Sequence, residues 1–132
     1  MSEVTWPSEL RYNREHQWLR LEAGVARSGI THFGQDSLGD IVFVSLPRVG
    51  DRLNAGDKLL DIESTKVIWE LFMPLSGEIV EVNQALDSTP ELVNQDPHGA
   101  GWIVALRLDD ASQVDALMGA DAYAAFLASG EA

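Results

Sequence analysis

Between Trp18 and Val82 the apolar residues fall in short runs that glycine and proline interrupt. Alternation of apolar and polar positions over a few residues marks a strand with one face buried. It predicts strands over 17–22, 25–30, 41–46, 58–64, 67–72 and 77–82, with another over 102–108. In the fourth, Leu60 and Ile62 share one face while Asp61 and Glu63 take the other. Short strands separated by turn residues predict a small sandwich or barrel and argue against βαβ units.

Helical signals interrupt this pattern. Thr31 can cap a short helix that Gly39 closes, with Phe33 and Leu38 available for packing. Nearer the C-terminus Asp110 can cap a helix carrying Val114, Leu117 and Met118, which Gly119 ends. Asp121 can cap another, in which Tyr123, Phe126 and Leu127 recur at i, i+3 and i+4 and predict core contacts. The fold class is therefore mainly β with peripheral helices, and the ends, 1–7 and 129–132, are expected to be loose. A short internal echo, Pro-x-x-Gly-acidic-x-aliphatic, occurs at Pro47–Leu53 and again at Pro74–Val80. It suggests two similar β-halves about a pseudo-twofold, joined by a hairpin at an extremity of the domain.

Composition narrows the function classes. At 132 residues the chain is expected to form one domain, 1–132, with a core of its own. A formal charge of −12 disfavours nucleic acid and anionic membrane surfaces as partners. The absence of cysteine excludes disulfides, thiolate metal sites and a thiol nucleophile, and fits a cytoplasmic protein. No apolar run approaches the roughly 20 residues of a membrane span, and the first residues lack a secretory pattern.

The chain has two lysines, Lys58 and Lys66. Lys66 lies in Asp61-Ile62-Glu63-Ser64-Thr65-Lys66-Val67-Ile68-Trp69, between two strand-like runs. With Thr65 it would form a tight turn, of type I in preference to I′ because Thr65 is β-branched. An exposed lysine at a hairpin tip is protonated and a poor nucleophile at neutral pH. The context points away from Schiff-base catalysis and toward acylation of Lys66 by a separate enzyme.

The histidines add little. His32 and Asp36 stand at i and i+4, but two ligands make no metal site. His16 and His98 read as turn residues with local hydrogen bonds, and His98-Gly99-Ala100-Gly101 lacks the lysine of a phosphate loop.

Several segments resemble the glycine cleavage system H-protein family of lipoyl carriers. They are Glu15-His16-Gln17-Trp18, Gly29-Ile30-Thr31, Leu38 to Val44, Glu63-Ser64-x-Lys66, Ser76 to Asn83 and Glu91 to Pro97. The likeness runs from about Tyr12 to Leu127, and the order and spacing of the pieces make it specific. It implies a lipoyl/biotinyl-type barrel-sandwich hybrid of two small antiparallel sheets, and lipoic acid in amide linkage to Lys66, flanked by Glu63, Ser64 and Thr65. It implies a carrier component and no enzyme: the arm shuttles an aminomethyl group among glycine decarboxylase, an aminomethyltransferase and dihydrolipoyl dehydrogenase, after a lipoate attachment enzyme has acted.

The departures concern the base of the arm. The family usually follows the lysine with small residues and then an acid, whereas this chain has Val67, Ile68 and Trp69 before Glu70. The resemblance assigns Glu15 and Glu70 to an arm cleft, with Val67 and Trp69 beside them and Gln17 where a second acid is common. Such a cleft suits a cationic amine less well. Two alternatives follow: an H-like lipoate-binding protein that carries sulfur intermediates for heterodisulfide-reductase-like enzymes, and a non-lipoylated interaction module.

Overall fold

The computed structural model describes residues 6–130. Its strands are β1 (Arg11–Tyr12), β2 (Gln17–Glu22), β3 (Val25–Ile30), β4 (Ile41–Val44), β5 (Arg52–Leu53), β6 (Lys58–Ser64), β7 (Ile68–Phe72), β8 (Gly77–Val82) and β9 (Val104–Leu108). Helices α1 (His32–Leu38), α2 (Ala85–Ser88), α3 (Leu92–Gln95) and α4 (Ala120–Ala128), with a 3-10 turn over Ala111–Ala116, surround them.

The strands form two antiparallel sheets, one of six in the order β1-β2-β3-β9-β8-β5 and one of three in the order β4-β6-β7. Alternation explains how they close on each other. Leu60 and Ile62 of β6 and Leu71 of β7 turn inward, where they join Leu19, Ile30, Ile79 and Leu106 of the larger sheet in one continuous core. Burial of those side chains, at about 1.5–3 kcal/mol each, is the main force holding the sheets together.

The echoed segments lie side by side. Arg52 pairs with Glu78 and Leu53 with Gly77, and the Gly50 N–H reaches the Ile79 carbonyl at 2.7 Å. Lys66 falls on the hairpin between β6 and β7, which connects them.

A second apolar cluster joins Leu10, Tyr12, Trp18, Tyr123 and Phe126 on the outside of the larger sheet. Tyr12 and Tyr123 stack at 4.7 Å, and Trp6 meets Tyr123 edge-on at 5.1 Å. The predicted stripe of α4 is thus a core contact, made to aromatic neighbours.

Some boundaries differ from expectation. Strands 41–46, 67–72 and 102–108 are shorter, and the two-residue strands β1 and β5 and the single-turn helices α2 and α3 carry too little periodicity to read. Asp110 does cap, accepting the Ser112 N–H, but the turn it starts is 3-10 and stops before Leu117, because Met118 leaves to pair with Tyr12. Gly119 precedes α4 as its N-cap, and Asp121 sits inside the first turn. Trp6 and Pro7 are packed, the Pro7 carbonyl accepting the Tyr12 hydroxyl at 2.7 Å. Ser129 likewise caps α4, its hydroxyl donating to the Phe126 carbonyl. Residues 1–5 and 131–132 lie outside the described residues. No helix among the described residues is long and apolar enough to cross a membrane.

Candidate functional site

The turn that bears Lys66 is built from backbone and one hydroxyl. The Ser64 N–H donates to the Val67 carbonyl at 2.8 Å, leaving Thr65 and Lys66 as the two loop residues. Neither takes a positive φ, so the turn is not type I′. The Ser64 hydroxyl fills in, accepting the N–H groups of Lys66 and Val67 at 3.3 and 3.1 Å and donating to the Val67 carbonyl. From outside the hairpin, the Asp40 carbonyl accepts the Thr65 N–H at 2.9 Å.

The two lysines are treated in opposite ways. Lys58 is held by Asp61 at 3.0 Å and Glu70 at 3.4 Å, and the hydrogen bond to Asp61 raises its pKa. Lys66 is exposed, and within the described residues its ammonium has no ion-pair or hydrogen-bond partner. A hairpin apex holds it clear of the acids that a chain of this charge supplies in excess.

Beside it runs a groove of about 500 Å³ lined by His16, Phe33, Gly34, Ser37, Leu38, Val67, Ile68 and Trp69. One wall is α1; the other is the start of β7. Thr31 caps α1 by accepting the Gly34 N–H at 3.2 Å, and Gly39 ends it at φ +80°, where a side chain would be strained. A β-carbon on Gly39 would lie 3.6 Å from Lys66 Cε, so the lysine stem passes the end of the helix.

The first turn of α1 is anchored by distant groups. The Tyr123 hydroxyl lies 2.8 Å from both His16 Nδ1 and Thr31 Oγ1, and burial pushes its pKa up to about 12. His98 Nε2 accepts the His32 N–H at 3.1 Å and is therefore unprotonated there. Burial is the main reason its pKa falls to about 4. Burial likewise lowers the pKa of His16, against the opposing effect of Glu15. The expected local bond is made by the His16 backbone, whose N–H donates to the Asn13 carbonyl at 3.2 Å, but the imidazoles of His16 and His98 have partners far away in sequence that topology brings together.

Of the residues singled out from the sequence, Glu63, Ser64, Thr65 and Lys66 gather at the hairpin tip, and Val67 and Trp69 line the groove. Glu15 and Glu70 do not join them. Glu70 alternates to the opposite face of β7 from Trp69, where it pairs with Lys58. Glu15 lines a separate cavity with Asn13, Arg14, Gln17 and Phe72. Trp69 packs partly into the core above Leu71, whereas Val67 stays outside with 46% of its surface exposed. Glu15 and Glu70 thus lie apart from the apolar groove that Val67 and Trp69 line. Phe33 and Leu38 were legible as packing residues, but their place on the groove depends on how α1 is docked.

A model of the family described as glycine cleavage H-protein matches residues 10–130. The chain is 48% identical to the glycine cleavage system H protein of Bacteroides thetaiotaomicron, over 92% of this chain and 97% of that one. It is equally similar, at 48%, to the one from Symbiobacterium thermophilum, over 94% and 97%. The crystal structure of a glycine cleavage system H protein from Mycobacterium marinum superposes with a TM-score of 0.75 at 36% identity, over 84% of this chain and 97% of that one.

Proposed function

This chain belongs to the glycine cleavage H-protein family, and from that premise we propose that Lys66 carries the lipoyl group, in amide linkage to Nζ. The protein is a lipoyl carrier of the glycine cleavage system. The observation that carries the assignment to Lys66 is its exposed ammonium at a hairpin apex, unpaired among the described residues, against the doubly paired Lys58.

The residues present fit such a group. An attachment enzyme reaches Lys66 Nζ without first breaking an ion pair, and the adjoining groove presents Phe33, Leu38, Val67 and Trp69 to an apolar chain. When bound, the lipoyl group supplies a disulfide that accepts the aminomethyl cargo and later releases it. The chain's own contribution is placement. The Ser64 hydroxyl and the Asp40 carbonyl hold the turn, the apolar walls shelter what lies beside it, and among the described residues the groove lining has no titratable side chain except His16.

The partners on this reading are a lipoate attachment enzyme, glycine decarboxylase, an aminomethyltransferase and dihydrolipoyl dehydrogenase. The net charge of −12 supports their docking through basic faces. The shared glycine cleavage name of the relatives supports the aminomethyl cargo over the sulfur intermediates that Val67-Ile68-Trp69 had raised.

Mass spectrometry of the protein from its own host tests the assignment. Fragmentation is expected to place a lipoyl group on Lys66. An unmodified Lys66 in cells that lipoylate their other carriers would overturn it and favour an interaction module.

A further inference from the structure

The Lys66 turn leans on the Asp40 carbonyl, and the segment carrying that carbonyl is itself clamped from outside. Asn94, half-buried on α3, bonds to the residues on either side of Asp40. Its Oδ1 accepts the Ile41 N–H at 2.9 Å, and its Nδ2 donates to the Gly39 carbonyl at 2.8 Å. The other Nδ2 proton goes to Gln35 Oε1 at 2.9 Å, on the last full turn of α1. Both donors of the amide are used, and its oxygen is engaged as well. Asp40 is left with its carbonyl aimed at Thr65, next to the glycine that the Lys66 stem passes.

We infer that Asn94 is the positioning residue of the lipoylation turn, acting through Gly39–Ile41 on the Asp40 carbonyl and so on the Thr65 amide. The inference rests on the reading of Lys66 as the modified residue. The turn needs this support because it lacks the positive φ angles that let a two-residue hairpin loop match the twist of its strands. Without the clamp, the Gly39–Ile41 segment is free to withdraw, and the turn keeps only its internal bonds to Ser64.

Asn83 provides the control. It too clamps a loop, its Nδ2 donating to the carbonyls of Ala100 and Trp102 at 2.9 and 2.7 Å, but none of these residues bonds to the turn. Loss of either asparagine lowers overall stability. Only loss of Asn94 is expected to act on Thr65.

The experiment uses the full chain as native protein, Asn94→Asp, Asn94→Ser and Asn83→Asp. Asn94→Asp keeps an acceptor for Ile41 and loses both donors; Asn94→Ser is too short to span the clamp and adds no charge. Amide exchange at Thr65 is measured by NMR on unmodified protein, beside the Tm of each variant. Acylation of Lys66 is then followed with a purified lipoate ligase, lipoic acid and ATP.

Both Asn94 variants are expected to speed Thr65 exchange at least tenfold beyond any global change. They should raise the KM for the carrier about tenfold with kcat within about twofold, as expected when only a tenth of the molecules hold the competent turn. Asn83→Asp should lower Tm and change neither. Unchanged Thr65 exchange in a folded Asn94 variant overturns the inference, as does an equal effect from Asn83→Asp. The exchange data decide the positioning role without any ligase. Failure of the ligase to acylate Lys66 in the native chain would instead strike the reading of the site.

Discussion

Two hairpins in this molecule close with two-residue turns, and they are held in different ways. Between β2 and β3 the loop is Ala23-Gly24, with φ of 50° and 83°, and Glu22 pairs with Val25 across its base. Both residues occupy the left-handed region, as a type I′ turn requires, so the local backbone follows the twist of the strands unaided. Between β6 and β7 the loop is Thr65-Lys66, which takes no positive φ and is held by Ser64 and by Asp40 from outside the hairpin. The first turn is specified by its own residues. The second is specified by its surroundings, and it is the one that presents the free lysine. A turn held by its surroundings leaves its residues open to selection for chemistry instead of conformation.

The sharpest way to break this comparison is to exchange the lysine. Lys66→Arg should abolish lipoylation while leaving Tm within about 2 °C, since an exposed side chain without partners among the described residues contributes little to folding. Adding Ala23→Lys to that variant, which places a lysine on the self-sufficient turn, should not restore any modification. Mass spectrometry after incubation with lipoate ligase reads both, and modification at position 23 would show that exposure alone suffices.

Next in size is the support at the far end of α1. Tyr123→Phe removes the hydroxyl shared by His16 and Thr31 and should cost about 1–3 kcal/mol in urea denaturation, because it strands polar groups in a buried site. Thr65 exchange should rise with it, and exchange around Gly24 should not. Gly24→Ala is the reciprocal change. Nothing lies within 4 Å of the added carbon, so only the left-handed φ is penalised, at about 1 kcal/mol, with the lipoylation rate unaltered.

A change of pH acts on the same end of α1 through His98. His98, among His32, Arg20, Asp96 and Glu9, stays neutral in the folded chain down to about pH 4, while an ordinary imidazole in the unfolded chain protonates near 6.5. The unfolded state therefore binds more protons between those values. Stability contributed by this group is complete above pH 6.5 and declines as pH falls toward 4. Protonation also removes the lone pair that accepts the His32 N–H, so loosening should begin at α1. Chemical denaturation across that range checks the sign, and His98→Gln should flatten the slope.

Much of the fold was legible because the signals are local. The alternation of Leu60, Asp61, Ile62 and Glu63 is read directly as one buried and one open face, and Thr31 and Gly39 bracket α1 as a cap and a left-handed stop. The tip residues 63–66 were legible for the same reason. The groove was not. Glu70 falls on the wrong face of β7 to meet Trp69, and Glu15 looks into another cavity. His16 and Thr31 share a hydroxyl that comes from position 123, a closure no window along the chain can contain.

By itself, then, the sequence determined the longer strands, the exposed lysine between two of them and the family to which the chain belongs, because each depends on residue type and spacing alone. Which lysine is left without a partner among the described residues was decided in part by tertiary structure, since Glu70 reaches Lys58 only once β6 and β7 are in register. So was the seating of the Lys66 turn, whose weak local preference is completed by a carbonyl from position 40 and an amide side chain from position 94.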